Sequence, residues 1–167
     1  ADQHPFFGEA AMPEGAGFYP ADLTREELDT YLAAHPDERE AILSPYTVVK
    51  REGDRLVAVP YSVEYREFLE PAARLLREAA AITTNDSLKR FLTLRADSFL
   101  SDDYFESEMA WMDLSGTPIE VAIGPYEVYT DRLMGVKTAF ESFVTLRNPA
   151  ESEALRVYVS YLRDIEA

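Results

Sequence analysis

A carboxylate followed by two small residues at alternate positions is the most informative chemical pattern in the chain. Glu120, Ala122 and Gly124 fall in a stretch rich in β-branched and aromatic residues, and in a strand their side chains share one face. A carboxylate beside a small side chain and a glycine leaves room for a ligand backbone, and it can hold a cation. A glutamate on a solvated strand face gives the same pattern, so both interpretations stay open on this basis.

Residues that activate nucleophiles or bind transition metals are scarce. The chain has no cysteine, which excludes disulfides, thiolate zinc sites, iron–sulfur clusters and cysteine nucleophiles. The histidines His4 and His35 do not have the spacing of a helical zinc-binding pair. His35 stands just before Pro36 at a predicted helix end, where we expect it to interact with the helix dipole. Glycine-rich phosphate loops, serine-nucleophile motifs and calcium loops are absent from the sequence.

Two short acidic clusters, Asp102 with Asp103 and Glu106 with Glu108, are further candidates for acid–base chemistry. Acidic residues are common near helix N-termini, because they interact favourably with the helix dipole. A helix is predicted to begin in this region, so we expect these carboxylates to stabilise the helix rather than to take part in a reaction.

Capping residues and apolar periodicity locate the helices that must position these groups. Thr24 and Glu27 form a capping box, and Asn148 with Glu151 forms a second one. The first predicted helix is short, beginning at Arg25 and ending at Pro36, and one or two further helical turns fall within 37–43. A longer helix covers 62–81, with a kink or restart at Pro71. Three more helices follow: one capped by Asn85 or Asp86, one capped by Ser101 and ended by Gly116 and Pro118, and a last one with Pro149 at its first position.

The apolar positions of the helices predict which faces are buried, because residues at i, i+3, i+4 and i+7 share one side of a helix. The predicted buried stripes are Phe68, Ala72, Leu75, Leu76 and Ala79; Leu88, Phe91, Leu92, Ala96 and Phe99; Phe105, Met109 and Met112; and Leu155, Tyr158, Val159, Leu162 and Ile165.

Two hairpins complete the prediction. The first joins residues 47–50 and 56–59 through Gly53-Asp54, and the second is a long hairpin, or two adjacent strands, formed by 119–130 and 136–147. The fold class is therefore α+β, with about six helices and a small antiparallel sheet made of two hairpins. Residues 1–20 are expected to be irregular and to pack through Phe6, Phe7, Phe18 and Tyr19, and residues 21–167 to form a single α+β region.

Composition limits the classes of partner. The chain has 16 basic and 31 acidic residues in a total of 167, a formal net charge of −15. Nucleic acids and anionic membranes require a positive surface, so neither is expected as a partner. No apolar run approaches the roughly 20 residues that span a membrane, and the lack of cysteine fits a reducing compartment. We therefore expect an acidic, cytoplasmic protein.

Several segments carry a resemblance to a known family. They are residues 17–24 (GFYPADLT), 85–88 (NDSL), 110–114 (AWMDL), 123–129 (IGPYEVY) and the pair 140–141 (FE). Together they resemble the dipeptidyl peptidase III family of zinc metallopeptidases, family M49, and especially its shorter bacterial members. The resemblance covers most of the chain after residue 15, and the block at 123–129 is its most specific part.

The resemblance implies a two-lobed hydrolase that removes dipeptides from the amino termini of short peptides. Its zinc is held by a His-Glu-x-x-x-His helix and a glutamate on a later helix, and this chain contains neither. The chain is thus expected to be the N-terminal, zinc-free, substrate-cleft portion of such an enzyme, inactive alone, with no catalytic residue, metal ligand or cofactor of its own. Zinc is expected in the full-length protein, and the expected partners are a short peptide substrate and the missing zinc-bearing C-terminal lobe.

The resemblance also assigns roles to single residues. Glu120 matches the position that binds the α-ammonium group of the substrate, and Gly124 and Tyr126 are expected to line the same substrate-binding site. Ala122 matches a position where members of the family have a tyrosine that assists catalysis. This departure leaves the activity of the parent protein open.

Four further residues of the matching block are expected mainly to hold the second hairpin and its loop together: Glu127, Tyr129, Asp131 and Glu141. The alternatives to an enzyme fragment are a stand-alone, non-catalytic peptide-binding module that uses the same cleft wall, and an interaction domain without a small ligand. An enzymatic function of this chain by itself stays uncertain from the sequence.

Overall fold

The computed structural model describes Glu9 and residues 11–165. The expectations for His4, Phe6 and Phe7 lie outside the described residues. The helices are α1 (Arg25–Ala34), α2 (Arg39–Ile42), α3 (Tyr61–Glu64), α4 (Arg66–Ile82), α5 (Asp86–Ser101), α6 (Phe105–Met112), α7 (Pro149–Ser160) and α8 (Leu162–Ile165). The strands are β1 (Thr47–Glu52), β2 (Arg55–Pro60), β3 (Ile119–Glu127) and β4 (Ala139–Leu146).

The α+β class and both predicted hairpins are confirmed. Strands β1 and β2 pair antiparallel, with Gly53 at φ +60° in the turn, a left-handed conformation that favours glycine. Strands β3 and β4 pair antiparallel from Ile119 opposite Leu146 to Glu127 opposite Ala139, and the register shifts between Pro125 and Glu127. Such a bulge bends the strand and redirects the side chains that follow it.

The helix starts follow the capping chemistry of the sequence at three of four places. The side chains of Thr24, Asn85 and Asn148 accept hydrogen bonds from backbone N–H groups in the first turns of α1, α5 and α7. The predicted Ser101 cap is wrong, because Ser101 is the last residue of α5 and α6 begins at Phe105. Asp102 adopts a left-handed conformation between the two helices, and its carboxylate accepts hydrogen bonds from the Ser62 amide and hydroxyl at the start of α3.

The core has two parts that meet along one line of aromatic side chains. The first part lies between α4, α5, α6 and β3, and the second lies between residues 18–32, α2, the first hairpin and α3. Tyr46, Tyr65 and Phe140 pack against both parts. Phe18 and Tyr19, predicted to pack from the irregular segment, are buried in the second part.

The predicted buried stripe of α4 is displaced by one residue. Its buried residues are Leu69, Ala73, Leu76 and Ala80, whereas Phe68 and Leu75 are exposed. Apolar residues occupy two neighbouring faces of this helix, and only the packing of α5 against one of them decides which is buried. The helix continues through Pro71, and the break in the predicted segment falls at Tyr65 instead.

The stripes predicted for α6 and α7 are also wrong. Phe105, Met109 and Met112 are exposed, and α6 is buried through Ser107 and Ala110. All five stripe residues of α7 and α8 are exposed: Leu155, Tyr158, Val159, Leu162 and Ile165. No extensive packing of another described element against α7 is seen, and its contact with α8, the next helix along the chain, is small. An amphipathic helix therefore has its apolar face uncovered.

The loop from β3 to β4 is organised by one buried carboxylate. Asp131 accepts hydrogen bonds from the backbone amides of Leu133, Met134, Val136 and Lys137 at 2.9–3.0 Å. Burial opposes its ionisation, but these amides outweigh burial and lower the pKa of Asp131. Tyr19 donates a further hydrogen bond to it.

The same loop positions the fully buried ammonium group of Lys137 against residues 42–47, at the start of the first hairpin. The Nζ atom of Lys137 donates to the carbonyl oxygens of Ile42 and Ser44 and to Oγ1 of Thr47 at 2.6–2.8 Å. The side chain is 0% exposed. Burial lowers the pKa of Lys137 to about 8, although Asp131 nearby opposes this shift.

We predict that Lys137 makes the free energy of unfolding rise with pH between about 8 and 10. In this window the unfolded chain binds a proton at Lys137 that the folded chain has released, so alkali favours the folded state. The rise should be about 2 kcal/mol, at 1.36 kcal/mol per pH unit. Urea unfolding across this range should show the rise in the natural chain and lose it in Lys137→Met.

The exposed Lys89 offers a matched control. Lys89→Met should keep the pH dependence, because this side chain lies on the surface of α5. Equal pH slopes for the natural chain and Lys137→Met would contradict the assignment.

Candidate functional site

A groove runs along one face of β3, between this strand and the C-terminal half of α6. It consists of two cavities, and Trp111 lines both of them. The first has a volume of about 480 Å³ and contains Glu120 and Arg147 with the loop that follows α6. The second, of about 320 Å³, is lined by Glu108, Trp111, Ala122, Tyr126 and Glu141.

The three positions of the sequence pattern, one carboxylate and two small residues, have different environments. Glu120 is exposed and lies in the first cavity. Ala122 is half-buried and lines the second cavity, where its methyl group leaves space that a larger side chain would fill. Gly124 is buried and lies against the guanidinium group of Arg95. A carboxylate at the open end and a small residue further in are compatible with an extended ligand along β3.

Tyr126 connects the second cavity to the helices. Its hydroxyl donates to Oε2 of Glu108 at 3.2 Å, and the other oxygen of this carboxylate accepts from Nη2 of Arg95 at 2.7 Å. Burial raises the pKa of Tyr126 above its ordinary value, so the hydroxyl stays protonated as a donor. The sequence predicts that Glu108 stabilises the start of a helix, and it does lie in the first turn of α6. It also forms an ion pair with the buried Arg95, which the sequence analysis did not predict.

A pair of neighbouring carboxyl groups, those of Glu127 and Glu141, lies at the end of β3. Side-chain hydrogen bonds join Glu127 to Glu141 and to Tyr129. The bonds from Glu141 and Tyr129 lower the pKa of Glu127, and the bond to Glu127 raises the pKa of Glu141. The two carboxyl groups can therefore share one proton, and when both ionise they leave two negative charges close together at the rim of the groove.

The predicted site residues fall into three groups. Tyr126 and Glu141 share one cavity, and Glu120 lies in the adjoining one. Glu127 contacts both Glu141 and Tyr129 at the end of the strand. Asp131 is buried in the loop described above, and Gly124 is buried beneath the groove, where it lines neither cavity.

Sequence reasoning missed Trp111 and Arg95 as members of this site. The signal for Arg95 was present, because it sits next to Ala96 within the apolar stripe of α5 that includes Phe91, Leu92 and Phe99. A cation inside a buried stripe requires a partner. The remaining histidine expectation is consistent with the structure, since Nδ1 of His35 lies 3.0 Å from the carbonyl oxygen of Tyr31 at the end of α1.

Within residues 11–165 and Glu9, no group of three or more histidine, cysteine, aspartate or glutamate residues is arranged to hold a metal ion. These residues therefore do not provide a zinc-binding set of their own.

Among the helices that the structure describes, none has both the length and the apolar character needed to cross a membrane.

Comparison with known proteins shows the family. The sequence profile of peptidase family M49 matches residues 24–164. A protein of Arabidopsis thaliana, Nudix hydrolase 3, is 32% identical over 176 aligned residues, which cover 92% of this chain and 23% of that protein. The chain belongs to peptidase family M49.

Solved structures agree with this membership. Dipeptidyl peptidase III from Caldithrix abyssi superimposes with a TM-score of 0.91 at 52% identity, and the match covers 98% of this chain and 31% of that one. Dipeptidyl-peptidase III from Corallococcus sp. strain EGB gives a TM-score of 0.84 at 43% identity, with 97% and 30% coverage. The chain thus has the fold of part of a dipeptidyl peptidase III and spans less than a third of the length of these relatives.

We predict that Glu127 is the reason for the raised pKa of Glu141. Glu127→Gln removes the negative neighbour, so the pKa of Glu141 should fall towards its ordinary value. Tyr129→Phe removes a donor to Glu127, so the pKa of Glu127 should rise. Carboxyl ¹³C chemical shifts followed against pH measure both effects, and an unchanged Glu141 titration in Glu127→Gln would refute the pairing.

Proposed function

We propose that this chain is the zinc-free, substrate-cleft portion of a dipeptidyl peptidase III-like zinc metallohydrolase that acts on peptide amino termini. Membership of family M49 and the match to part of two dipeptidyl peptidase III structures support the class. The groove on β3 is the observation that carries the proposal, because it combines an apolar wall at Trp111 with carboxylates at both ends. We also propose a cytoplasmic location, from the lack of cysteine.

The proposed substrate is a short peptide that lies along β3 with its free amino terminus against a carboxylate. Glu120 takes this role by its match to the family position, and its exposed carboxylate in the first cavity supports the assignment. Gly124 and Tyr126 contribute to the same cleft, Gly124 by letting the strand pack closely on Arg95 and Tyr126 by lining the second cavity.

Glu127 is a second candidate for the ammonium group. Its contact with Glu141 leaves like charges side by side when both groups are ionised. An ammonium group placed there relieves this repulsion and donates charge-assisted hydrogen bonds. Glu127, Tyr129 and Glu141 would then bind ligand in addition to holding the hairpin.

The proposed partner of the whole protein is a zinc-bearing lobe that covers the exposed apolar surfaces. Phe143, Val144 and Leu146 of β4, the strand that precedes α7 along the chain, are exposed by 59–78%. Exposed apolar surface of this extent marks an interaction site. The relatives have more than twice as much additional chain as the part that matches here, which supports an intramolecular partner over a separate protein.

We expect the chain to bind a tetra-alanine peptide weakly and through its amino terminus. Half of a cleft buries little ligand area, so binding should fall in the millimolar range and require detection by amide ¹H–¹⁵N chemical shifts. The N-acetylated peptide should not bind. Glu120→Gln should weaken binding about tenfold if Glu120 holds the ammonium group, and Glu127→Gln should do so if Glu127 does.

The exposed Glu67 on α4 provides the matched control, because Glu67→Gln makes the same chemical change away from the groove. Equal binding of the free and acetylated peptides, or no shift at β3 residues at saturation, would overturn the ammonium-binding proposal. Loss of binding in Glu67→Gln would show a general charge effect.

We further expect the isolated chain to bind no stoichiometric zinc and to hydrolyse no dipeptidyl-naphthylamide. The described residues provide no zinc-binding set, so both properties should require the remaining polypeptide. Metal analysis after dialysis and a fluorescence assay test this. One zinc per chain, or hydrolysis that survives further purification, would favour a self-sufficient enzyme.

The mass of the native gene product separates the proposal from its alternative. A native gene product of 18.9 kDa would favour a stand-alone peptide-binding module.

A further inference from the structure

The guanidinium group of Arg95 is fully buried in the middle of α5. Aromatic rings surround it, with the ring centres of Phe91, Tyr104 and Tyr126 at 5.3–5.4 Å from Cζ. Its Nε and Nη1 atoms have no hydrogen-bond partner, so the aromatic faces replace the solvent there. A buried ion pair adds little stability compared with apolar side chains of similar volume, which indicates that the charge at this position has another purpose.

Arg95 and Tyr126 together donate hydrogen bonds to both carboxylate oxygens of Glu108. Nη2 of Arg95 donates to one oxygen at 2.7 Å, and the Tyr126 hydroxyl donates to the other at 3.2 Å. Glu108 is 35% exposed and lines the second cavity of the groove. Without these two donors, it would present a free carboxylate to any cation in this cavity.

Arg95 also determines how closely β3 approaches the helices. A Cβ atom on Gly124 would lie 2.4 Å from Nη1 of Arg95, so any other residue at this position would require the end of the arginine side chain to shift. The strand therefore rests on the guanidinium group immediately before the bulge between Pro125 and Glu127. The position of the groove floor depends on this contact.

We infer that Arg95 is a positioning residue that neutralises Glu108, so that a cationic ligand is directed away from the middle of the groove and towards the carboxylates at its ends. This inference rests on the proposed function, because it explains how a groove with several carboxylates directs an ammonium group to its ends. Replacing Arg95 by an uncharged side chain releases Glu108 as a competing acceptor, and removing Glu108 as well abolishes the competition.

The single tryptophan of the chain makes the test specific. Its indole N–H gives one signal in a ¹H–¹⁵N spectrum, and Trp111 lines the same cavity as Glu108. The probe is n-butylammonium chloride, titrated at constant ionic strength into the natural chain, Arg95→Met, Arg95→Met/Glu108→Gln and Arg95→Lys. Thermal unfolding of each variant establishes that it is folded.

In Arg95→Met, the indole signal should shift at a butylammonium concentration at least tenfold lower than in the natural chain. Adding Glu108→Gln should restore the natural response, and Arg95→Lys should resemble the natural chain because it keeps the charge. A purely structural role of Arg95 predicts no such rescue. An unchanged titration in folded Arg95→Met, or no rescue in the double variant, would overturn the inference.

Tyr126→Phe keeps the test decisive if Arg95→Met does not fold. It preserves the ring over Arg95 and frees one oxygen of Glu108, so it should show the same shift to lower butylammonium concentration, to a smaller degree. A natural response in this variant, together with unfolding of Arg95→Met, would overturn the inference. The readout does not require peptide binding, so failure of the tetra-alanine titration would refute the proposed function separately.

Discussion

The hairpin of β3 and β4 is held between two buried cations, and the groove depends on this constraint. Arg95 supports β3 from the side of α5 and α6. Lys137, just before β4, donates hydrogen bonds to the carbonyl oxygens of Ile42 and Ser44, which precede the first hairpin in the chain. A buried charge is costly unless it is fully surrounded by acceptors or aromatic faces, so each cation tolerates little displacement of its partners. The hairpin is thereby fixed to both parts of the core at once.

This arrangement determines the charge of the groove. The chain carries a large excess of acidic residues, but the structure distinguishes among the carboxylates around β3. Asp131 is satisfied by backbone amides, and Glu108 is paired with Arg95. Glu120 is exposed, and Glu127 contacts another carboxyl group. In the proposed function, the negative charge offered to a ligand therefore lies at the two ends of the groove.

The uncovered apolar surfaces and the partial match to longer relatives both support the proposed zinc-bearing lobe. Helix α7 has a capped start and a regular apolar stripe, yet the residues of this stripe are exposed. A helix of 12 residues is marginal without tertiary packing. The match to less than a third of the dipeptidyl peptidase III structures supports further polypeptide as its cover.

Local chemistry in the sequence was sufficient for most elements of the fold. The caps at Thr24, Asn85 and Asn148 and the turn at Gly53 depend on residues only a few positions apart, so the sequence alone determines them. The buried stripe of α5 was equally clear, because only one of its faces is apolar. The similarity to family M49 was also present in short segments of the sequence.

The choice of buried face and the partners of the buried charges were decided by the tertiary structure. Helix α4 has two apolar faces, and the sequence does not indicate which one α5 covers. Arg95 and Glu108 are 13 positions apart, and Lys137 and Ile42 are 95 apart. Such contacts depend on how whole elements pack, since the energy of burying a charge is determined by every group around it. The sequence by itself determined the elements and the family, and packing determined which carboxylates of the groove remain free for a ligand.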